Sequence, residues 1–85
     1  MSKKDKLLAK IRKNPKSVRF EDLDAILARL GFQKRQKGSH ATYTRQGLPP
    51  LTIPHPHRQP FVVPVYVKQF LAVIDELEDD DEEGE

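Results

Sequence analysis

With 85 residues, the chain is long enough for one small domain. It has no cysteine, which excludes disulfide bridges, thiolate metal sites and a cysteine nucleophile. The net charge of +2 conceals an uneven distribution: residues 75–85 hold nine of the thirteen acids and no base, so residues 1–74 carry +11. So basic a body favours a polyanionic partner such as nucleic acid.

The sequence shows neither a membrane-spanning segment nor a signal peptide. No apolar stretch is long enough to span a bilayer, and no signal-peptide apolar run follows the charged N-terminal residues. We therefore expect a cytoplasmic protein without a membrane partner.

Residues 3–13 predict a short basic helix whose apolar stripe is Leu7, Leu8 and Ile11. Asn14-Pro15 should end it, because the residue before a proline avoids the helical region. A helix this short is not stable alone. It either packs on the domain, which we favour, or frays as a basic arm.

The pattern over residues 20–30 predicts the clearest helix of the chain. Its apolar residues recur at helical spacing and form one buried stripe. They are Leu23, Ile26, Leu27 and Leu30. Gly31 is the expected left-handed cap at its C-terminal end.

Three strands are predicted next. Residues 32–37 form the first, basic on its exposed side, and turn through Gly38-Ser39 into the second, residues 40–45. A loop rich in turn formers leads to the third, residues 51–53. Side chains alternate along a strand.

Along the second strand, this alternation separates two sets of side chains, and the sequence alone does not settle which set is exposed. One set is His40, Thr42 and Thr44. The other is Ala41, Tyr43 and Arg45. Tyr43 either stacks on a base or packs into the sheet, and packing is expected if Ala41 shares a buried face with it.

The segment after the third strand is a polar loop that its prolines stiffen. Three prolines lie within residues 54–60, alongside His55, His57 and Arg58. A last helix is predicted to begin near Pro64. The order of helix, helix, three antiparallel strands and helix predicts an α+β fold with helices on one face of the sheet.

Several of these segments, in this order, resemble the HicA/YcfA family of toxins from type II toxin–antitoxin systems. They are Leu30-Gly31-Phe32, Gln36-Lys37-Gly38-Ser39-His40, Leu51-Thr52-Ile53-Pro54-His55 followed by Arg58, and the proline-started last helix. The resemblance covers roughly residues 18–75, and Gly38-Ser39-His40 at a hairpin is its most specific part.

The resemblance implies a fold and an activity. The fold would be similar to the double-stranded RNA-binding domain, here with an extra N-terminal helix. The activity would be that of an mRNA interferase, an endoribonuclease that cleaves mRNA without metal or other cofactor and is inhibited by a HicB antitoxin. His40 takes the position of the family's catalytic histidine.

The chain is thereby divided into three parts. Residues 1–17 form a basic helical extension, residues 18–77 the HicA-like domain that binds and cleaves RNA, and residues 78–85 an acidic disordered tail. The tail either keeps the protein soluble or screens its basic face.

A histidine suits this chemistry because its ordinary pKa of about 6.5 lies close to neutrality. His40 could move a proton from an RNA 2′-hydroxyl or to a leaving 5′-oxygen. The second transfer could come from water or His57, or a cation could stabilise the phosphate charge instead. The alternative is that His40 only contacts a phosphate or a partner.

Further residues are expected to contact RNA, the cations through its phosphates. They are Lys34, Arg35, Lys37, Ser39, Thr42, Arg45, His55, His57 and Arg58. A zinc site made by the three histidines is disfavoured, because a proline constrains two of the rings and no carboxylate lies near them in sequence.

Two other classes of function stay open at this point. One is a catalytically silent RNA-binding module of the same fold. The other is a protein-interaction partner whose basic face docks an acidic antitoxin. A merely solvated basic face is the simplest alternative to RNA binding.

Overall fold

A computed structural model of the chain describes the backbone of residues 3–83 and the side chains of residues 3–78. Its elements are α1 (Lys3–Lys13), α2 (Phe20–Arg29), β1 (Gln33–Lys37), β2 (His40–Thr44), β3 (Leu51–Pro54) and α3 (Pro64–Glu83). The strands form one antiparallel sheet in the order β1-β2-β3. The predicted α+β class is confirmed, whereas the likeness to the double-stranded RNA-binding domain stays a prediction.

The sheet has one covered face and one open face. On β2, Ala41 and Tyr43 are only 0% and 1% exposed, whereas His40 and Thr44 are exposed. The alternative left open by the sequence is therefore decided: the set that contains His40 lies on the open face, and Tyr43 packs inside.

The strand register extends the open face across all three strands. Lys37 lies opposite His40, Arg35 opposite Thr42, and Thr42 opposite Thr52. Residues directly opposite each other in an antiparallel pair share a face. The open face therefore consists of Gln33, Arg35, Lys37, His40, Thr42, Thr44, Thr52 and Pro54.

The hydrophobic core lies against the covered face of the sheet. Leu23 and Leu27 of α2, Val67 and Phe70 of α3, and Ile53 of β3 are each fully buried. All five belong to one cluster with Ala41 and Tyr43. Helices that cover one face give a three-stranded sheet the buried surface it needs to be stable.

Helix α1 belongs to this core, so it packs and does not fray. Leu8 and Ile11 are 7% and 2% exposed, respectively. On the flank of the helix, the Arg12 guanidinium lies 2.8 Å from the Asp75 carboxylate and 3.5 Å from that of Glu78 on α3. The apolar contacts hold α1 in place, because ion pairs between exposed side chains contribute little.

Two glycines take the left-handed backbone that their positions require. Gly31 ends α2 with a φ of 86°, as predicted for a helix cap. Gly38 has a φ of 59° and begins the two-residue loop between β1 and β2. A glycine with positive φ at the first loop position matches the tight hairpin turn whose twist suits the flanking strands.

In the described part of the chain, no helix is long and apolar enough to cross a membrane. The predicted disordered tail over 78–85 is helical over most of its length, because α3 continues to Glu83, and residues 84–85 lie outside the described part. The predicted division of the chain into three parts stays a prediction.

We expect Ile11→Ala to lower the free energy of unfolding by about 3 kcal/mol, because it removes a buried side chain and leaves a cavity. Urea denaturation followed by circular dichroism measures the change. The neighbouring exposed residue provides the control: Lys10→Ala should change stability by no more than about 0.5 kcal/mol. Equal effects of the two substitutions would show that α1 does not contribute to the core.

Candidate active site

His40 is the first residue of the central strand, and its side chain is exposed on the open face. Lys37 of β1 and Pro54 of β3 lie opposite it on either side. The Gly38-Ser39 turn comes directly before it. His40 is thus held between two paired neighbours, with its ring open to solvent.

Cations and hydroxyl groups surround His40 on the open face. Lys37 is its direct neighbour, and Arg35 lies one step along the same strand face, opposite Thr42. The hydroxyl oxygens of Thr42 and Thr52 are 3.2 Å apart, at hydrogen-bonding distance. The register thereby places Arg35, Lys37 and Thr42 on the same face as His40, and their contact with RNA stays a prediction.

Carboxylates are absent from this region of the chain. No residue of the open face is acidic. The sequence between Asp24 and Asp75 contains no aspartate or glutamate at all. Among residues 3–78, the open face therefore presents positive charge to an approaching anion with no acidic side chain of its own.

Lys34 does not share the open face with Arg35 and Lys37, although it is exposed. It pairs with Tyr43, whose side chain lies on the covered side. Its amine is 3.0 Å from a carboxylate oxygen of Asp24 and 5.4 Å from the centre of the Phe20 ring. The charge of Lys34 is therefore partly neutralised within the domain.

His55 also lies on the covered side of the sheet, away from His40. It follows Pro54, which is opposite His40 on the open face, so alternation turns His55 the other way. Its ring stacks on Phe20 with the ring centres 3.7 Å apart, and its Nε2 is 2.9 Å from Nε2 of Gln36.

The remaining predicted residues are Ser39 in the turn, Arg45 after β2, and His57 and Arg58 in the loop after β3. Ser39 is partly buried in the turn. Arg45 follows β2, with its guanidinium 6.0 Å from the centre of the Phe32 ring. His57 and Arg58 are exposed in the loop after β3, and within residues 3–78 neither side chain forms a hydrogen bond or ion pair.

The three histidines do not converge on one point. Within the described residues, no group of three or more histidine, aspartate and glutamate side chains could hold a metal ion.

A contact between Asp24 and Tyr43 was not predicted from the sequence. The Tyr43 hydroxyl donates a hydrogen bond to Asp24 at 2.7 Å. Burial and this contact with a carboxylate raise the pKa of Tyr43 above its ordinary value. Burial by itself raises the pKa of Asp24, but the hydrogen bonds from Tyr43 and Lys34 and the charges of Lys34 and His55 outweigh it and lower that pKa.

The family model for the HicA toxin of bacterial toxin-antitoxin systems matches residues 20–72. This span contains α2, the whole sheet and the first part of α3, and it includes the Gly38-Ser39-His40 turn. It defines the protein as the toxin of a toxin–antitoxin system, and the chain belongs to the HicA toxin family. No curated protein and no solved structure matches the chain.

The lowered pKa of Asp24 predicts how stability depends on pH. A carboxyl whose pKa is lower in the folded state stabilises the fold above its unfolded pKa of about 3.9, and this contribution is lost as pH falls through the folded value. At pH 7, Asp24→Asn should therefore reduce the free energy of unfolding by about 1 kcal/mol. This value is small for a hydrogen bond to a charged group because the Asp24 side chain is 36% exposed, and solvent weakens the interaction.

The difference from the wild type should shrink as the pH falls below about 4, when Asp24 itself becomes neutral. Urea denaturation at a series of pH values measures it. Asp22→Asn is the matched control, since Asp22 lies on the same helix without the tyrosine contact. A difference between wild type and Asp24→Asn that stays constant down to acid pH would contradict the role given to the ionised carboxylate.

Proposed function

We propose that this toxin is a metal-independent endoribonuclease that cleaves mRNA, with His40 as its proton-transfer group. The observation that carries the proposal is the position of His40 on the open face, beside Lys37 and in a region of the chain without acids. Membership of a family of toxins that are generally ribonucleases supports RNA as the substrate.

The open face offers a surface for a phosphate backbone. Arg35 and Lys37 lie along β1 on the same face as His40, and together they could contact neighbouring phosphates. The hydroxyls of Ser39 and Thr42 are additional donors. Arg45 after β2 and His57 and Arg58 in the loop after β3 are exposed, and we propose that they extend the contact along a longer strand of RNA.

The proposed reaction uses the 2′-hydroxyl of the RNA as its nucleophile. His40 accepts the 2′-hydroxyl proton while the oxygen attacks phosphorus, and the bond from phosphorus to the 5′-oxygen breaks. The products are a 2′,3′-cyclic phosphate and a 5′-hydroxyl, whose proton comes from water or a second group. Lys37 and Arg35 stabilise the charge that develops on the phosphoryl oxygens.

The antitoxin is the second proposed partner. The family implies such a partner in general, and we propose that it resembles HicB and inhibits the toxin in the cytoplasm, where mRNA is translated. An acidic surface on the antitoxin would complement the open face and exclude RNA from it.

Purified wild-type protein in excess EDTA should cleave a single-stranded RNA oligonucleotide, and His40→Ala should cleave it at least about a hundredfold more slowly. The matched control is Thr44→Ala, on the same strand and face. A substrate with a 2′-deoxy nucleotide at the cleaved position should stay intact, because it lacks the nucleophile.

Two results would contradict the proposal. If the wild-type protein binds the RNA in EDTA but leaves it uncut, the protein is an RNA-binding module without this activity. If His40→Ala and Thr44→Ala cleave equally well, His40 is not the proton-transfer group.

The salt dependence of RNA affinity should reveal the phosphate contacts. In a His40→Ala background, which prevents cleavage, Arg35→Gln or Lys37→Gln should each reduce the slope of log K against log [salt] by about 0.7. Fluorescence anisotropy with labelled RNA measures it. Arg29→Gln removes an equal charge from the end of α2 and should leave the slope unchanged; an equal reduction by all three would refute a specific role for the open face.

A further inference from the structure

On the covered side of the sheet, near the Gly38-Ser39 turn, three side chains from three different segments meet. They are Phe20 at the start of α2, Gln36 on β1 and His55 after β3. We propose that His55, held by Phe20 and Gln36, is a positioning residue that fixes the Gly38-Ser39 turn and thereby the His40 backbone. This role rests on the proposed function of His40.

The ring of His55 is held through both its face and its edge. Its face stacks on Phe20, with the planes 28° apart and the centres 3.7 Å apart. Its Nε2 lies 2.9 Å from the side-chain nitrogen of Gln36. The Gln36 amide nitrogen donates in this contact, and Nε2 of His55 accepts in the tautomer whose proton lies on Nδ1.

The backbone of His55 connects this cluster to the turn. Its N–H donates to the carbonyl oxygen of Ser39 at 2.7 Å. The Ser39 carbonyl and the His40 N–H belong to the same planar peptide group. A hydrogen bond that holds the carbonyl therefore orients the peptide that leads into His40.

The turn needs such support because of its own composition. Gly38 has no side chain and accepts many backbone conformations. The Gln36 side chain donates a hydrogen bond to the Gly38 carbonyl oxygen at 3.5 Å, which is too long to restrain it strongly. Besides the pairing of Lys37 with His40, the Ser39–His55 hydrogen bond of 2.7 Å is therefore the shorter restraint on the loop.

The three side chains are not part of the fully buried core. Phe20 and His55 are partly exposed, and Gln36 is exposed. Phe20 packs against the core cluster that contains Ala41 and Tyr43, whereas His55 and Gln36 are not part of it. Removal of the His55 or Gln36 side chain should therefore leave the fold intact and act on the turn, which separates a positioning role from a general structural one.

The sequence also predicted that His55 contacts RNA, and the two roles differ in their kinetic consequences. If His55 bound RNA directly, its removal would raise the protein concentration needed for half-maximal cleavage. A mispositioned His40 lowers the maximal rate and leaves that concentration nearly unchanged, because the phosphate contacts of the open face are retained.

The test is single-turnover cleavage of the same RNA oligonucleotide over a range of protein concentrations. His55→Ala should lower the maximal rate by roughly tenfold to a hundredfold and change the half-saturating concentration less than about twofold. His55→Phe keeps the stacking surface and should have a smaller effect. Gln59→Ala, an exposed residue of the same loop, is the control and should match the wild type.

A second readout needs no RNA and no activity. In His55→Ala, amide hydrogen exchange measured by NMR should be faster than in the wild type at position 55, whose N–H is bonded to the Ser39 carbonyl, and at His40. Exchange at Tyr43 in the core should be unchanged. Gln36→Ala should produce a smaller change of the same kind. If His55→Ala does not fold, His55→Phe and Gln36→Ala decide the question by the same measurements.

The outcomes distinguish this proposal from the proposed function. If exchange in the turn is faster in the His55 variants but the wild type does not cleave RNA, the restraint of the turn by His55 is supported and the proposed nuclease activity is contradicted. Normal cleavage by the wild type, with unchanged exchange and maximal rate in the His55 variants, would overturn the positioning role alone. A higher half-saturating concentration at an unchanged maximal rate would assign His55 to direct RNA binding and would also overturn it.

Discussion

Burial of one face of the three-stranded sheet is the constraint on which the position of His40 depends. Tyr43 and Ala41 are in the core, and their strand cannot slip by one residue without exposing both. His40 is an odd number of residues away from each of them, so the same alternation that buries them exposes it. The direction of the His40 side chain is thus a consequence of core packing, although His40 itself is not a core residue.

The distribution of charge follows from the same arrangement. Strand pairing places the side chains of Arg35 and Lys37 on the open face and that of Lys34 on the covered side, where it pairs with Asp24. On α3, Asp75 lies beside α1, where it contacts Arg12. Within residues 3–78, the cations Arg35 and Lys37 of the open face therefore form no ion pair with an acid, and a protein with a net charge of only +2 can still present a basic surface.

His40 and His55 lie on opposite faces of the sheet because side chains alternate along the strand at Pro54. His40 faces solvent beside cations, whereas His55 is stacked on Phe20 and bonded to Gln36. The hydrogen bond from His55 to the Ser39 carbonyl joins the two sides of the sheet through the backbone. The proposed reaction thus depends on the exposed His40 side chain, whose backbone is restrained by a contact with a residue on the covered side of the sheet.

The local pattern of the sequence was enough to determine the order of the elements, the glycine at the end of α2 and the histidine at the turn, because propensity, capping and turn chemistry act over a few residues. It also indicated the family, through the ordered set of short motifs around Gly38-Ser39-His40. Only the tertiary structure decided which face of β2 is open, that α1 packs, and that Asp24 meets Tyr43 and His55 meets Phe20. These contacts join segments far apart in the chain, and their geometry is set when helices and sheet bury a common core.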